Sequence, residues 1–109
     1  MMHLAAFLFT PGGHRYGWRH PDANPASDMD FDVYVAMAQA AERGKLDAIF
    51  FADTAAVYGN HKPEQMSTGM GEIARLCYLE PASLITALAP VTKNIGLIAT
   101  ITTTYNEPY

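Results

Sequence analysis

Apolar positions along the chain switch between two rhythms, and the switches mark its elements. Residues 4–9 form a continuous apolar run ending in Thr10-Pro11-Gly12-Gly13, the pattern of a strand buried on both faces and stopped by a turn. The following HRYGWRHPDANPAS lacks periodicity and is rich in Pro, Gly and aromatic residues, so it reads as a long loop. From Asp30 onward, Phe31, Val33, Tyr34, Met37, Ala38 and Ala41 recur at helical spacing. Ser27, Asp28 and Asp30 are N-cap candidates, and Gly44 stands where a helix commonly ends. LDAIFFAD then predicts a second buried strand, residues 48–52, because its apolar core is too short for a helix and has Asp on both sides.

A long connection, residues 54–79, carries Gly59, Pro63, Gly69 and Gly71, with a short helical piece expected in GEIARLCY. Glu80-Pro81 predicts a helix start, with Leu84, Ile85, Leu88, Ala89 and Val91 on its apolar side and Pro90 kinking or fraying its last turn. KNIGLIATITTT reads as a third strand, and Glu107-Pro108 as the opening of a further element.

The order strand, helix, strand, helix, strand implies a parallel α/β sheet. Two architectures share that signature, a doubly wound sheet and the opening of a TIM-like (β/α)8 barrel. A doubly wound dinucleotide fold predicts a short Gly-rich turn after the first strand. Here that junction is long and has no G-x-G-x-x-G. Long loops follow strands one and two, on the face where barrel enzymes build their sites, and this favours the barrel. Three strands cannot close one, since eight units need about 250 residues. The expectation is therefore a single unit, residues 1–109, forming the N-terminal βαβαβ portion of a larger barrel that is incomplete in this chain.

Composition narrows the function classes. Half of the 109 residues are apolar and 17% are charged, which is ordinary for a globular chain and argues against disorder and membrane spanning. A net charge of −4 and the absence of a Lys/Arg cluster leave no electrostatic footprint for nucleic acid. Cys77 is the sole cysteine and excludes an internal disulfide; with no basic leader before the first apolar run, a cytoplasmic location is expected.

Candidate chemistry gathers at the strand ends. Asp53 sits just past the second strand, where barrel carboxylates meet ligands, although a turn-capping role with Thr54 fits as well. Alternation in the third strand puts Gly96, Ile98, Thr100, Thr102 and Thr104 on one face. β-propensity alone favours threonine in strands; hydroxyls lining a barrel mouth would instead call for a polar ligand. His14, Arg15, Trp18, Arg19 and His20 crowd the first loop as lid or substrate-contact candidates. His3, His14, His20 and His61 show no metal-ligand spacing, so no metal site is expected. Gly69-Met70-Gly71 follows no strand directly and reads as a turn, and Cys77 as a small packed side chain.

Four blocks in order, FLFTPGGHRYGWRHPDANP, AERGKLDAIFFADT, LEPASLITALAPVTKNIGL and TITTTYNEPY, resemble the N-terminal quarter of the nitrilotriacetate monooxygenase group. That group consists of flavin-dependent monooxygenases of the bacterial luciferase-like superfamily, with members in dibenzothiophene sulfone and pristinamycin metabolism. The resemblance implies a TIM-like barrel that takes reduced FMN (FMNH2) from a separate flavin reductase, reacts it with O2 and inserts one oxygen atom into a small organic substrate. It also implies that Asp53 is a flavin-contacting carboxylate and that Thr100 lies beside the isoalloxazine, with Thr102 and Thr104 on the same face. Its later flavin-binding His, Tyr and Ser positions fall beyond Tyr109, so tight FMN binding by this chain alone is not expected, and no catalytic residue is assigned. Open sheet edges predict association, as a homo-oligomer or with a complementary fragment. The alternatives are a deazaflavin-dependent oxidoreductase of the same superfamily, which would transfer hydride, and a non-catalytic remnant whose only activity is association.

Overall fold

The computed structural model describes residues 1–10, 17, 20–24, 27–53, 78–104 and 107. Three short strands, β1 (Ala5–Phe7), β2 (Ala48–Phe51) and β3 (Gly96–Ala99), form one parallel sheet in the order β1-β2-β3. Helix α1 (Phe31–Arg43) lies between β1 and β2 in sequence. Helix α2 (Pro81–Leu88), continued by a 3-10 turn at Ala89–Val91, precedes β3.

Both helix starts follow from local chemistry. The Asp30 carboxylate accepts the Asp32 N–H at 3.1 Å and caps α1. Ser27 and Asp28, the other cap candidates, are buried before the helix instead. Glu80 caps α2 with both carboxylate oxygens, accepting the Ala82 and Ser83 N–H groups at 2.8 and 2.7 Å, and Pro81 takes the first turn, where no N–H is needed. Pro90 tightens the end of α2 into the 3-10 turn. The C-terminus of α1 falls at Gly44, as its position predicts, though the left-handed turn lies one residue on. Gly44 has a right-handed φ of −72°, and Lys45, at φ 60°, makes the left-handed turn. Its N–H still reaches back to the Glu42 carbonyl, which closes the helix end despite the cost of a side chain there.

One face of the sheet carries the core. Ile49 and Leu88 are fully buried, and Tyr34, Ala38, Phe51, Leu84 and Ile95 join them between sheet and helices. The register sets Phe7 beside Phe50 and Phe50 beside Ile98 on the opposite face, where Phe7 is 58% exposed and Ile98 45%. The expected burial of β1 on both faces is therefore not met in this chain: α1 and α2 pack on the Ile49 side, and nothing among the described residues buries the Phe7 side. Gly96 lets β3 approach β2 closely, since a Cβ there would sit 3.1 Å from the Asp47 carbonyl oxygen.

The sheet's N-terminal end is tied by two carboxylates. Glu42, at the end of α1, accepts the Lys93, Asn94 and Ile95 N–H groups on one oxygen, and Asp47 receives the Leu4 N–H at 2.8 Å and contacts His3 Nδ1 at 3.0 Å. Backbone donation, from Asn94 above all, holds the Glu42 carboxyl below its ordinary value; the His3 contact does the same for Asp47. A lowered folded-state pKa adds stability that is complete above the unfolded value and is lost as pH falls through the folded one. The thermal midpoint is expected to decline as pH drops below about 4.5, and Glu42→Gln is expected to lower the neutral-pH midpoint while flattening that acid decline. In the core, Leu88→Ala is expected to cost about 2–5 kcal/mol in denaturant unfolding, as a fully buried leucine leaves a cavity.

Candidate flavin-facing mouth

The C-terminal ends of parallel strands lie together, and here they bring Thr10, Asp53 and residues 100–104 to one edge of the sheet. The β2–β3 ladder takes one step past the regular strands, with the Thr100 N–H donating to the Phe51 carbonyl at 3.0 Å. β2 ends as a regular strand at Phe51. The Asp53 side chain takes over, its Oδ2 accepting the Thr102 N–H at 2.8 Å. The Thr104 N–H lies 3.4 Å from Thr102 Oγ1, a long bond that folds the chain over itself.

The third strand is thus shorter than the threonine pattern predicts. Thr100 continues the Ile98 row on the open face, whereas Thr102 and Thr104 lie in a turn. The reason is local: a strand persists only while its neighbour offers ladder partners, and β2 stops at Phe51. Thr100 and Thr104 are exposed and Thr102 is half-buried. The two features picked from sequence, Asp53 and the threonine block, are therefore brought into direct contact. The contact runs from the Asp53 carboxylate to the Thr102 backbone N–H, and the capping role expected with Thr54 lies outside the described residues.

Below this edge the open face is aromatic. Phe7 packs on Phe50 with ring centroids 5.3 Å apart and meets Phe9 at 6.0 Å, and Phe9 meets Tyr78 at 5.5 Å. Ile98, on the open face, extends the apolar surface towards the threonines. The backbone N–H groups of Thr100, Thr102 and Thr104 are engaged within the chain, so threonine hydroxyls beside an apolar wall are what this edge could offer to a flat heterocycle with one polar edge, such as a flavin ring.

The other candidates lie apart or outside. His3 belongs to the opposite end of the sheet with Asp47, and His20 is an exposed residue whose Nδ1 accepts the Asp22 N–H. Among the described residues no group of His, Cys, Asp and Glu could hold a metal ion, and no helix is long and apolar enough to cross a membrane. His14, Arg15, Trp18, Arg19, His61, Gly69, Gly71, Cys77 and the helical piece expected near them lie outside the described residues. Sequence reading missed a buried hydroxyl cluster at the same end of the sheet: Thr10 Oγ1 and Tyr34 OH are 3.0 Å apart, and Tyr34 OH donates to the Asp28 carbonyl at 2.8 Å. The available signal was a tyrosine on the apolar stripe of a helix, whose polar tip requires a partner when buried.

The described residues form a three-stranded parallel α/β unit with Asp53 and the threonines at its strands' C-terminal ends, which fits part of a TIM-like barrel. The luciferase-like monooxygenase family matches residues 5–109, and the chain belongs to that family. It is 46% identical over 108 residues to nitrilotriacetate monooxygenase component A of Aminobacter aminovorans, covering 94% of this chain and 23% of the relative. It is 41% identical to N-acetyl-S-(2-succino)cysteine monooxygenase of Bacillus subtilis (strain 168), over 97% of this chain and 22% of the relative. Dibenzothiophene-sulfone monooxygenase of Rhodococcus erythropolis (strain XP) is also 41% identical, over 99% of this chain and 24% of the relative. The chain spans less than a quarter of the length of these three relatives.

The Asp53 bond generates a direct test. In Asp53→Ala the Thr102 amide is expected to exchange with deuterium about tenfold faster, the loss of one charge-assisted bond. In Asp53→Asn, whose side-chain carbonyl can still accept, most of the protection is expected to remain.

Proposed function

We propose that this chain is the N-terminal part of a barrel domain in an FMNH2-dependent, two-component monooxygenase, with the Asp53–Thr102 edge forming one wall of the flavin site. The observation that carries the reading is the pinned turn at the strands' C-terminal edge, set over an open apolar face. The inner face of a barrel strand must be apolar because it packs in layers, and Phe7, Phe50 and Ile98 supply such a face. The matched relatives are named as monooxygenases, which favours oxygen insertion over the hydride transfer of a deazaflavin enzyme.

When bound, reduced FMN supplies the two electrons with which one atom of O2 enters the substrate and the other leaves as water. The chain's own residues position and exclude. Asp53 holds the residue 100–104 turn in place. Thr100 stands on the open face as the first polar group above Ile98, and Thr102 and Thr104 offer hydroxyls from the turn. Phe9, with Phe7 and Ile98, lines the inner side and limits water there. A small organic substrate, O2 and a separate flavin reductase are the partners of this reading. The cytoplasm is its compartment, and a homo-oligomer or a complementary fragment is expected to cover the open edges.

Anaerobic titration of the ¹⁵N-labelled chain with reduced FMN tests the proposal. Saturable shifts grouped at Asp53 and residues 100–104 are expected, with Asp53→Ala weakening the apparent affinity about tenfold. Shifts confined to the sheet's N-terminal end around Glu42 and Asp47 would rule out a flavin wall at this edge, whereas none at millimolar flavin would show that this chain alone is an incomplete site.

A further inference from the structure

The Thr10–Tyr34–Asp28 cluster has no part in the site described above, yet it is among the most buried polar groupings of the described residues. Thr10, Ser27, Asp28 and Tyr34 are each 5% exposed or less. Tyr34 belongs to α1 and Thr10 to the exit of β1, while Ser27 and Asp28 form the turn that leads into α1. The tyrosine hydroxyl bonds to both flanks, and its ring is fixed against Phe51 at 5.9 Å between centroids.

That turn is costly to bury. Among the described residues Ser27 Oγ finds no hydrogen-bond partner, and the Ser27 N–H donates to the Asn24 carbonyl at 3.2 Å. An unpaired buried hydroxyl opposes burial, so other bonds must hold the turn inside. From the core, Tyr34 OH reaches the turn and donates to the Asp28 carbonyl. The same hydroxyl meets Thr10, the residue after Phe9, and Phe9 contributes to the aromatic wall below the mouth.

We infer that Tyr34 is a positioning residue for the mouth: acting through Thr10, its hydroxyl fixes the exit of β1, and with it Phe9, relative to the start of α1. The inference rests on the flavin-wall reading only for its functional consequence, because the geometric lock exists whatever ligand the mouth takes. Burial pushes the Tyr34 phenol above its ordinary pKa, the Thr10 bond draws it back and the nearby Asp28 carboxylate raises it again, so it stays a neutral donor at physiological pH.

Three variants of the chain separate positioning from simple stability. Tyr34→Phe keeps the ring and removes the hydroxyl, Thr10→Val keeps the volume and removes the partner, and Thr10→Ser keeps the partner. Amide exchange is read at Leu8, whose N–H bonds the Phe50 carbonyl at 3.0 Å at the exit of β1, with Ile49 and Leu88 as core references. Tyr34→Phe and Thr10→Val are each expected to speed exchange at Leu8 about tenfold relative to the references, and Thr10→Ser to restore it. Both disruptive variants are also expected to weaken the reduced-FMN response at residues 100–104, measured well below their melting temperatures. A uniform rise across Leu8, Ile49 and Leu88, with Thr10→Ser no better than Thr10→Val, would mean that the cluster is merely structural and would overturn the inference. If the parent chain alone shows no flavin response, the exchange pattern decides the role of Tyr34.

Discussion

β2 is paired on both sides by parallel ladders, and the rest of the molecule follows from that constraint. Parallel neighbours cannot be joined by a tight hairpin, so each connection must travel the length of the sheet, and helices do so with their backbone groups satisfied. In this chain α1 and α2 both pack on the Ile49 side of the sheet. Ile49 and Phe51 are buried beneath them, while Phe7 and Ile98 on the other side remain open. An apolar face exposed in this way is what a barrel strand presents to its interior, and it gives the flavin-wall reading its physical setting.

Where the ladder ends, side chains replace it, with different consequences at the two edges. At the N-terminal edge Glu42 gathers three backbone N–H groups and Asp47 joins the segment before β1 to β2. These bonds lock connections into place and make the fold sensitive to acid. At the C-terminal edge a single carboxylate, Asp53, turns the chain after β3 across the end of β2. Tyr34 does the corresponding work at β1 from beneath, with a neutral hydroxyl in a buried setting where an unpaired charge would be costly. The polar groups that shape the mouth thus come from loops and from a helix, while the strands supply the apolar wall.

Much of this was legible in the chain. The two helices, the Glu80-Pro81 start, the fraying at Pro90 and the order of strands follow from periodicity and from the fixed φ of proline, which are local properties. Asp53 and the threonine block were identifiable because parallel strands deliver their C-terminal residues to one edge. The length of β3 was not legible, since threonine suits a strand whether or not a neighbour is there to pair with it. Gly44 marked the end of α1 in the sequence, but the surrounding hydrogen bonds put the left-handed turn at Lys45.

The sequence by itself determined the parallel α/β class, the position of each element and the two features that meet at the mouth, all through short-range spacing. The tertiary structure alone decided which partners the polar groups found: Asp53 with the Thr102 amide, Glu42 with the loop before β3, and Tyr34 with Thr10 and Asp28. Those pairings join residues far apart in the chain or across a turn. They depend on where strands stop and helices settle, and a one-dimensional pattern does not carry that information.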